Sequence, residues 1–269
     1  MKVLIVLAHP EKHSLTSSLA REAKETFEAR GDEVRVSDLY SMMWKSNVDR
    51  DDFPQYQLER LFVCDASKKA TKTNTLTEDV LNEQEKLLWC DALIFVFPIW
   101  WFSMPAILKG WVERVFSFGF GYGVGVHDDT HWGDRYGEGV SSGKRAMIIT
   151  VAGGWKTHYS ARGVSGPIED ILFPINHGML FYTGFDVLQP FVVYRGDSLD
   201  EESFGEVSCR LKERINSFNE AKPISYRSQN GGDYTIPALE LKDSIKSGHI
   251  GYRLHVKNGE FESKSHGHV

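Results

Sequence analysis

Cysteine is scarce in this chain. Its 269 residues include Cys64, Cys90 and Cys209, odd in number and far apart. That argues against a disulfide framework, and without a CxxC pair there is no thiol redox motif or structural zinc site. Long apolar runs are lacking as well. Nothing approaches the roughly 20 consecutive apolar residues of a membrane-spanning helix. The opening MKVLIVLAHP has too short an apolar run and no small-residue cleavage pattern, so it does not read as a signal peptide. A soluble cytoplasmic protein is the expectation. Basic residues are not in excess either: the net charge is -6, which argues against a broad nucleic-acid surface. GxGxxG and GxxxxGK(S/T) are both missing, leaving a Rossmann dinucleotide site and a P-loop without support. There is no internal repeat and no low-complexity segment.

What is present is an ordinary soluble composition, 41% hydrophobic and 25% charged, in a chain long enough for a substantial core. Residues 3–8 form a near-continuous apolar run, as in a strand covered on both faces. Residues 14–30 place Leu15, Leu19, Ala23 and Phe27 at helical spacing, with Gly31 as C-cap. Further strands are predicted at 33–36, 91–97 and 144–151. A last one, within 185–193, is interrupted by Pro190. Helices are predicted at 77–89, 105–116, 168–180 (with Pro174 as a break or kink) and 198–219. Residues 41–77 read as a polar, irregular excursion with short helices at most, and the glycine-rich 118–143 as a long mobile loop. Strands alternating with helices predict an α/β, doubly wound, five-stranded parallel sheet. The first 221 residues form the main domain, and 222–269 a less regular C-terminal extension packing on it or on a second copy. Ligands of such sheets sit at the carboxyl ends of the strands near the topological switch.

Three strand ends carry candidate chemistry. After the first, His9-Pro10-Glu11-Lys12-His13-Ser14-Leu15-Thr16 leads into a helix N-terminus, which favours a phosphate. The same residues also suit a plain strand–helix turn capped by Ser14. After the third, Pro98-Ile99-Trp100-Trp101-Phe102 offers rings to wall a flat heteroaromatic, or to pack in a core. After the fourth, Gly153-Gly154 lets backbone approach a ligand closely, or simply turns. Three such signals on neighbouring strand ends favour a binding site.

These residues carry a resemblance. Val6-Leu7-Ala8-His9, Ser37-Asp38-Leu39-Tyr40, Phe97-Pro98 through Phe102, residues 105–116 (PAILKGWVERVF), and Gly153-Gly154 with Tyr159-Ser160 and Gly163 are similar to the NAD(P)H:quinone oxidoreductases of the flavodoxin-like fold. That group includes FAD-dependent quinone reductases. The resemblance implies FAD rather than FMN, with NADH or NADPH as co-substrate and a quinone as acceptor. It implies two-electron ping-pong transfer in a homodimer whose site lies at the interface. His9, Ser14, Leu15 and Thr16 would hold the phosphate and ribityl portion. Pro98, Ile99, Trp100, Trp101 and Phe102 would line the ring, and Gly153 and Gly154 its polar edge. Tyr159 would be catalytic near that edge, and Glu113 would help anchor the flavin region. Tyr122 and Tyr182 would enter from the second subunit over a substrate cleft shared with Trp101 and Phe102. The same flavin also suits a nitro- or azoreductase. Shorter relatives serve as ancillary subunits of potassium efflux systems.

The chain departs from the family pattern at several places. Ser165 stands where relatives have a histidine in the tyrosine's charge relay; serine donates a hydrogen bond but carries no proton near neutral pH. It is retained as a catalytic candidate, with His158 a partial substitute or a surface histidine. Val124 replaces a cleft aromatic. Gly196 and Phe204 fall where an aliphatic and an arginine are expected at the adenine end. No resident metal is expected: 127–131 (HDDTH), His266 and His268 read as solvated, and His177 alone matches a zinc position of some relatives.

Overall fold

The computed structural model describes residues 1–257; His266, His268 and the end of the C-terminal extension lie outside the described residues. The elements are β1 (Lys2–Leu7), α1 (Leu15–Ala29), β2 (Glu33–Asp38), α2 (Val63–Thr73), α3 (Glu78–Trp89), β3 (Ala92–Pro98), α4 (Ala106–Val115), β4 (Arg145–Ala152), α5 (Ile168–Ile175), β5 (Asp186–Val187), β6 (Phe191–Tyr194) and α6 (Glu201–Asn216). All pairings are parallel, in the order β2-β1-β3-β4-β5, with β6 also on β4. The predicted fifth strand is therefore two short pieces. Pro190, which has no N–H to give the ladder, lies in the gap between them.

The apolar strands fold this way because both faces of the sheet are covered. Leu4, Val6, Leu93, Phe95, Phe97 and Ile148 enter one core with Trp111 and Leu172. Val3, Ile5, Ile94, Val96, Met147 and Ile149 enter the other with Leu19, Phe27, Leu211 and Ile215. Alternate residues of each strand thus feed opposite cores, the pleat's period of two. The chain leaves β1 toward β2 and returns on the other side to β3, so the switch point lies between the carboxyl ends of β1 and β3.

The excursion is more ordered than its polarity suggested. It contains the eleven-residue α2 and is pinned to α4 through Arg114, whose side chain is 2% exposed. The Arg114 guanidinium contacts the carboxylates of Asp52 at 2.9 Å and Asp79 at 2.7 Å, and lies 4.5 Å from the Trp44 ring. Such a buried charge is tolerable only when fully paired. The 118–143 segment is likewise a specified structure, with Gly139 and Gly137 running close to Thr183 and Phe181. Helix α5 continues past Pro174 and widens into a π-helix over Asn176–Phe181. The C-terminal extension packs on this same chain: Ile224, Tyr226 and Val256 join the first core, and the Ile224 N–H donates to Val187 O at 2.8 Å.

Candidate active site

At the switch point, β1 ends at a turn that leads into α1. Ser14 is the N-cap of α1, its Oγ accepting from the Ser17 N–H at 3.1 Å. The Ser17 hydroxyl in turn donates to Glu11 O at 2.8 Å, fixing the turn. The first-turn amides of Leu15 and Thr16 have no intrahelical acceptor, so the helix end presents donors and positive potential to an anion. His9 closes the turn: its Nδ1 accepts from the Glu11 N–H at 3.0 Å, and its ring centre is 5.9 Å from that of Trp100.

Beyond the end of β3 the backbone does something uncommon. Trp100 and Ser103 exchange both hydrogen bonds at 3.0 Å, closing a two-residue turn over Trp101 and Phe102. Both have positive φ, 48° and 62°. Glycine or asparagine takes such positions easily; a bulky L-residue is strained there by roughly 1–2 kcal/mol. The turn holds the rings outward, with Trp101 97% and Phe102 57% exposed. Strain that displays apolar rings to solvent brings no burial to the fold in return. Below it, the Ile99 N–H donates to Val151 O at 2.8 Å and the buried Thr150 hydroxyl to Phe97 O at 2.8 Å, locking the β3 and β4 ends together.

The β4 end completes the floor. A Cβ on Gly154 would lie 2.9 Å from His158 Nδ1, 3.1 Å from Tyr159 Cε2 and 3.5 Å from the Tyr159 hydroxyl. His158 and Tyr159 therefore both stand over that glycine, and only glycine leaves room between them. Tyr159 is half-buried and lies 5.7 Å from Tyr194, whose hydroxyl is pushed up to about 12 by burial. Ser165 is joined to this group through its backbone, its N–H donating to His158 O at 3.0 Å. Gly153 is exposed, with the Asp197 carboxylate 3.5 Å from where its Cβ would be.

His9, Ser14, Leu15, Thr16, Pro98, Ile99, Trp100, Trp101, Phe102, Gly153, Gly154, Tyr159 and Ser165 thus gather at three adjoining strand ends. Glu113, Tyr122 and Tyr182 do not join them within the chain. Glu113 is exposed on α4 and pairs with Lys109, in a groove shared with Phe53, Val63 and Tyr122. The Tyr122 hydroxyl reaches Cys64 Sγ at 3.6 Å, and burial raises its pKa. Tyr182 packs 5.0 Å from Tyr136. His158, weighed in the sequence as a partial substitute in the relay or a surface histidine, is exposed and stands with Tyr159 at Gly154. Trp155 was not foreseen: it is stacked under Arg195 with the guanidinium carbon 3.9 Å from the ring centre, and a tryptophan directly after the glycine pair was the available signal.

Residues 1–215 match the family described as flavodoxin-like fold. The chain belongs to that family. Among curated members it is 56% identical over 260 residues to a ribosyldihydronicotinamide dehydrogenase-like protein from Penicillium crustosum, covering 96% of each chain. It is 33% identical to NAD(P)H dehydrogenase [quinone] 1 of Cavia porcellus, covering 93% of this chain and 90% of that one. A solved structure from Klebsiella pneumoniae, provisionally assigned as a quinone reductase, superimposes with TM-score 0.93 at 52% identity, over 95% of this chain and 99% of the other.

His131, with Asp134 and Glu138, brings possible metal-ligand atoms within 4.8 Å of one another, a grouping that reading 127–131 as solvated did not anticipate. His131 Nε2 lies 2.8 Å from Asp134 Oδ1, and that carboxylate raises its pKa. Asp128 instead accepts from the Thr130 and His131 N–H groups, which hold its carboxyl below the usual range. His177 stacks on Phe173 at 4.5 Å. No described helix is long and apolar enough to cross a membrane.

Proposed function

We propose that the chain is a flavin-dependent NAD(P)H:quinone oxidoreductase that holds FAD at the carboxyl ends of β1, β3 and β4. The observation that carries this reading is the strained Trp101-Phe102 turn, which presents two rings beside the Gly154 cradle and the N-terminus of α1. The residues fit such a group. The Leu15 and Thr16 amides suit a phosphate, the rings suit a flat heteroaromatic wall, and Gly153-Gly154 suit close backbone approach. A bound flavin supplies two-electron chemistry, accepting hydride from a nicotinamide and delivering it to an acceptor.

The chain's own groups orient that chemistry. Tyr159, over Gly154, would donate a hydrogen bond toward the edge of a bound flavin where negative charge develops on reduction. Ser165 acts only indirectly, through its backbone link to His158. Trp101 and Phe102 form one side of a face used in turn by donor and quinone, a ping-pong order. Tyr122 and Tyr182 complete that face from a second copy of the chain, and Glu113 supports the groove around Tyr122. FAD is favoured over FMN because a cleft of about 640 Å³, lined by His13, Leu15, Ser18, Gly196, Leu199 and Phe204, adjoins the phosphate seat. The three free cysteines suit the reducing cytoplasm. Denaturing the purified protein and weighing the released flavin tests the cofactor: FAD is expected, and FMN would overturn this part. Turnover of quinone, nitro and azo acceptors with NADH and NADPH tests the reaction, with quinones expected to be fastest.

A further inference from the structure

Among the described residues one arginine sits in the left-handed backbone region, and it borders this site. Arg195 follows β6 with φ 56°. Its N–H donates to Gly154 O at 3.1 Å, and its guanidinium lies over the Trp155 ring. Among the described residues no carboxylate pairs with it, and its guanidinium makes no hydrogen bond to any of them. A planar cation held by stacking, with its donor edge free, is prepared for bidentate phosphate recognition. The next residue, Gly196, is pressed against β4 and α1: a Cβ there would lie 2.2 Å from Val151 Cγ1 and 3.5 Å from Leu15 Cδ2.

Arg195 therefore stands between two parts of the site. On one side is the Gly153-Gly154 floor; on the other is the cleft bounded by His13, Leu15, Ser18, Leu199 and Phe204. That passage is otherwise short of positive charge. Asp197 lies beside Gly153, and Asp200 and Glu201 line the cleft. The Asp200 carboxylate is engaged as the cap of α6, accepting from the Ser203 N–H at 2.9 Å. A pyrophosphate crossing from the floor to the cleft needs a cation, and Arg195, bonded through its backbone to Gly154 and followed by the cleft residue Gly196, carries the guanidinium next to both.

We propose that the Arg195–Trp155 pair binds the second phosphate of a flavin dinucleotide, the first being held by the α1 amides. The proposal rests on the flavin reading above. It makes Arg195 the residue that selects FAD over FMN, which has a single phosphate. The test titrates the full chain, stripped of flavin, with FAD and with FMN, following flavin fluorescence, for wild type, Arg195→Gln and Arg195→Lys. The expected result is an FAD affinity at least about tenfold weaker in Arg195→Gln. FMN affinity stays within about twofold, and Arg195→Lys recovers part of the loss. Unchanged FAD affinity overturns the proposal, as does equal weakening of both flavins. Unchanged flavin affinities with a raised KM for NADPH but not for ribosyldihydronicotinamide would move the phosphate to the donor, and also overturn it. Wild-type protein that binds neither flavin defeats the flavin reading itself, before any variant is compared.

Discussion

Trp101 and Phe102 stand against folding preference. Each takes a backbone conformation that costs an L-residue free energy, and neither ring gains burial in return. Replacing Trp101 with glycine should therefore leave the stability of the flavin-free protein unchanged, or raise it by up to ~1 kcal/mol, while weakening flavin binding. Chemical denaturation and a flavin titration measure the two effects; a clear loss of stability would show that the ring supports the fold instead. Tyr159 is the other decisive residue. Tyr159→Phe should slow flavin reduction in stopped flow by roughly tenfold or more, the order expected for losing a donor at developing charge. Ser165→Ala should change it less than about twofold, because Ser165 meets this group through its backbone. Equal and negligible effects would remove the hydrogen-bond role assigned to Tyr159.

Among the elements, the segment after Pro174 is the least ordinary. Its π-turn carries His177 inward among Phe173, Phe181 and Tyr226, where Nε2 has no partner. Burial pushes this imidazole down to about 3, and the nearby His255 is lowered too. The unfolded chain takes up a proton on His177 below about pH 6.5, whereas the folded chain does so only near 3. Its contribution to stability is thus complete above about 6.5 and is lost as pH falls toward 3. His177→Leu should flatten the acid side of the stability–pH curve by at most ~1.4 kcal/mol per pH unit. Urea midpoints measured between pH 7 and 4 decide it; parallel curves for variant and wild type would contradict it. The strands and most helices were legible because apolar runs and helical spacing report burial directly. Helix α2 was not: in its sequence, VCDASKKATKT, only the small residues Ala66, Ser67 and Ala70 pack inward, while Val63 and Cys64 stay exposed. The π-turn was equally hidden, since a proline signals only that regular helix is disturbed.

For the molecule as a whole, the alternation of strands and helices was enough to expect a ligand at the carboxyl ends of the strands, while the side-by-side placing of the β1 and β3 ends came from the strand order of the structure. What it left unread were contacts made by neighbours distant in sequence: Arg195 over Trp155, and Arg114 against Asp52. The position of His158 over Gly154 depends on how one loop folds back, which spacing does not specify. Tyr122, Tyr182 and Glu113 stay apart from the gathered strand ends in a single chain; for Tyr122 and Tyr182 a second copy is proposed to bring them in, while Glu113, expected beside the flavin, pairs with Lys109 instead. Everything proposed for these residues depends on one property, that the gathered strand ends hold a redox-active flavin. The visible spectrum of the purified protein, recorded before and after anaerobic addition of NAD(P)H, tests this most directly. The expected protein is yellow, with flavin absorption that bleaches on adding the donor and returns with a quinone. A colourless protein that takes up no added flavin would contradict it.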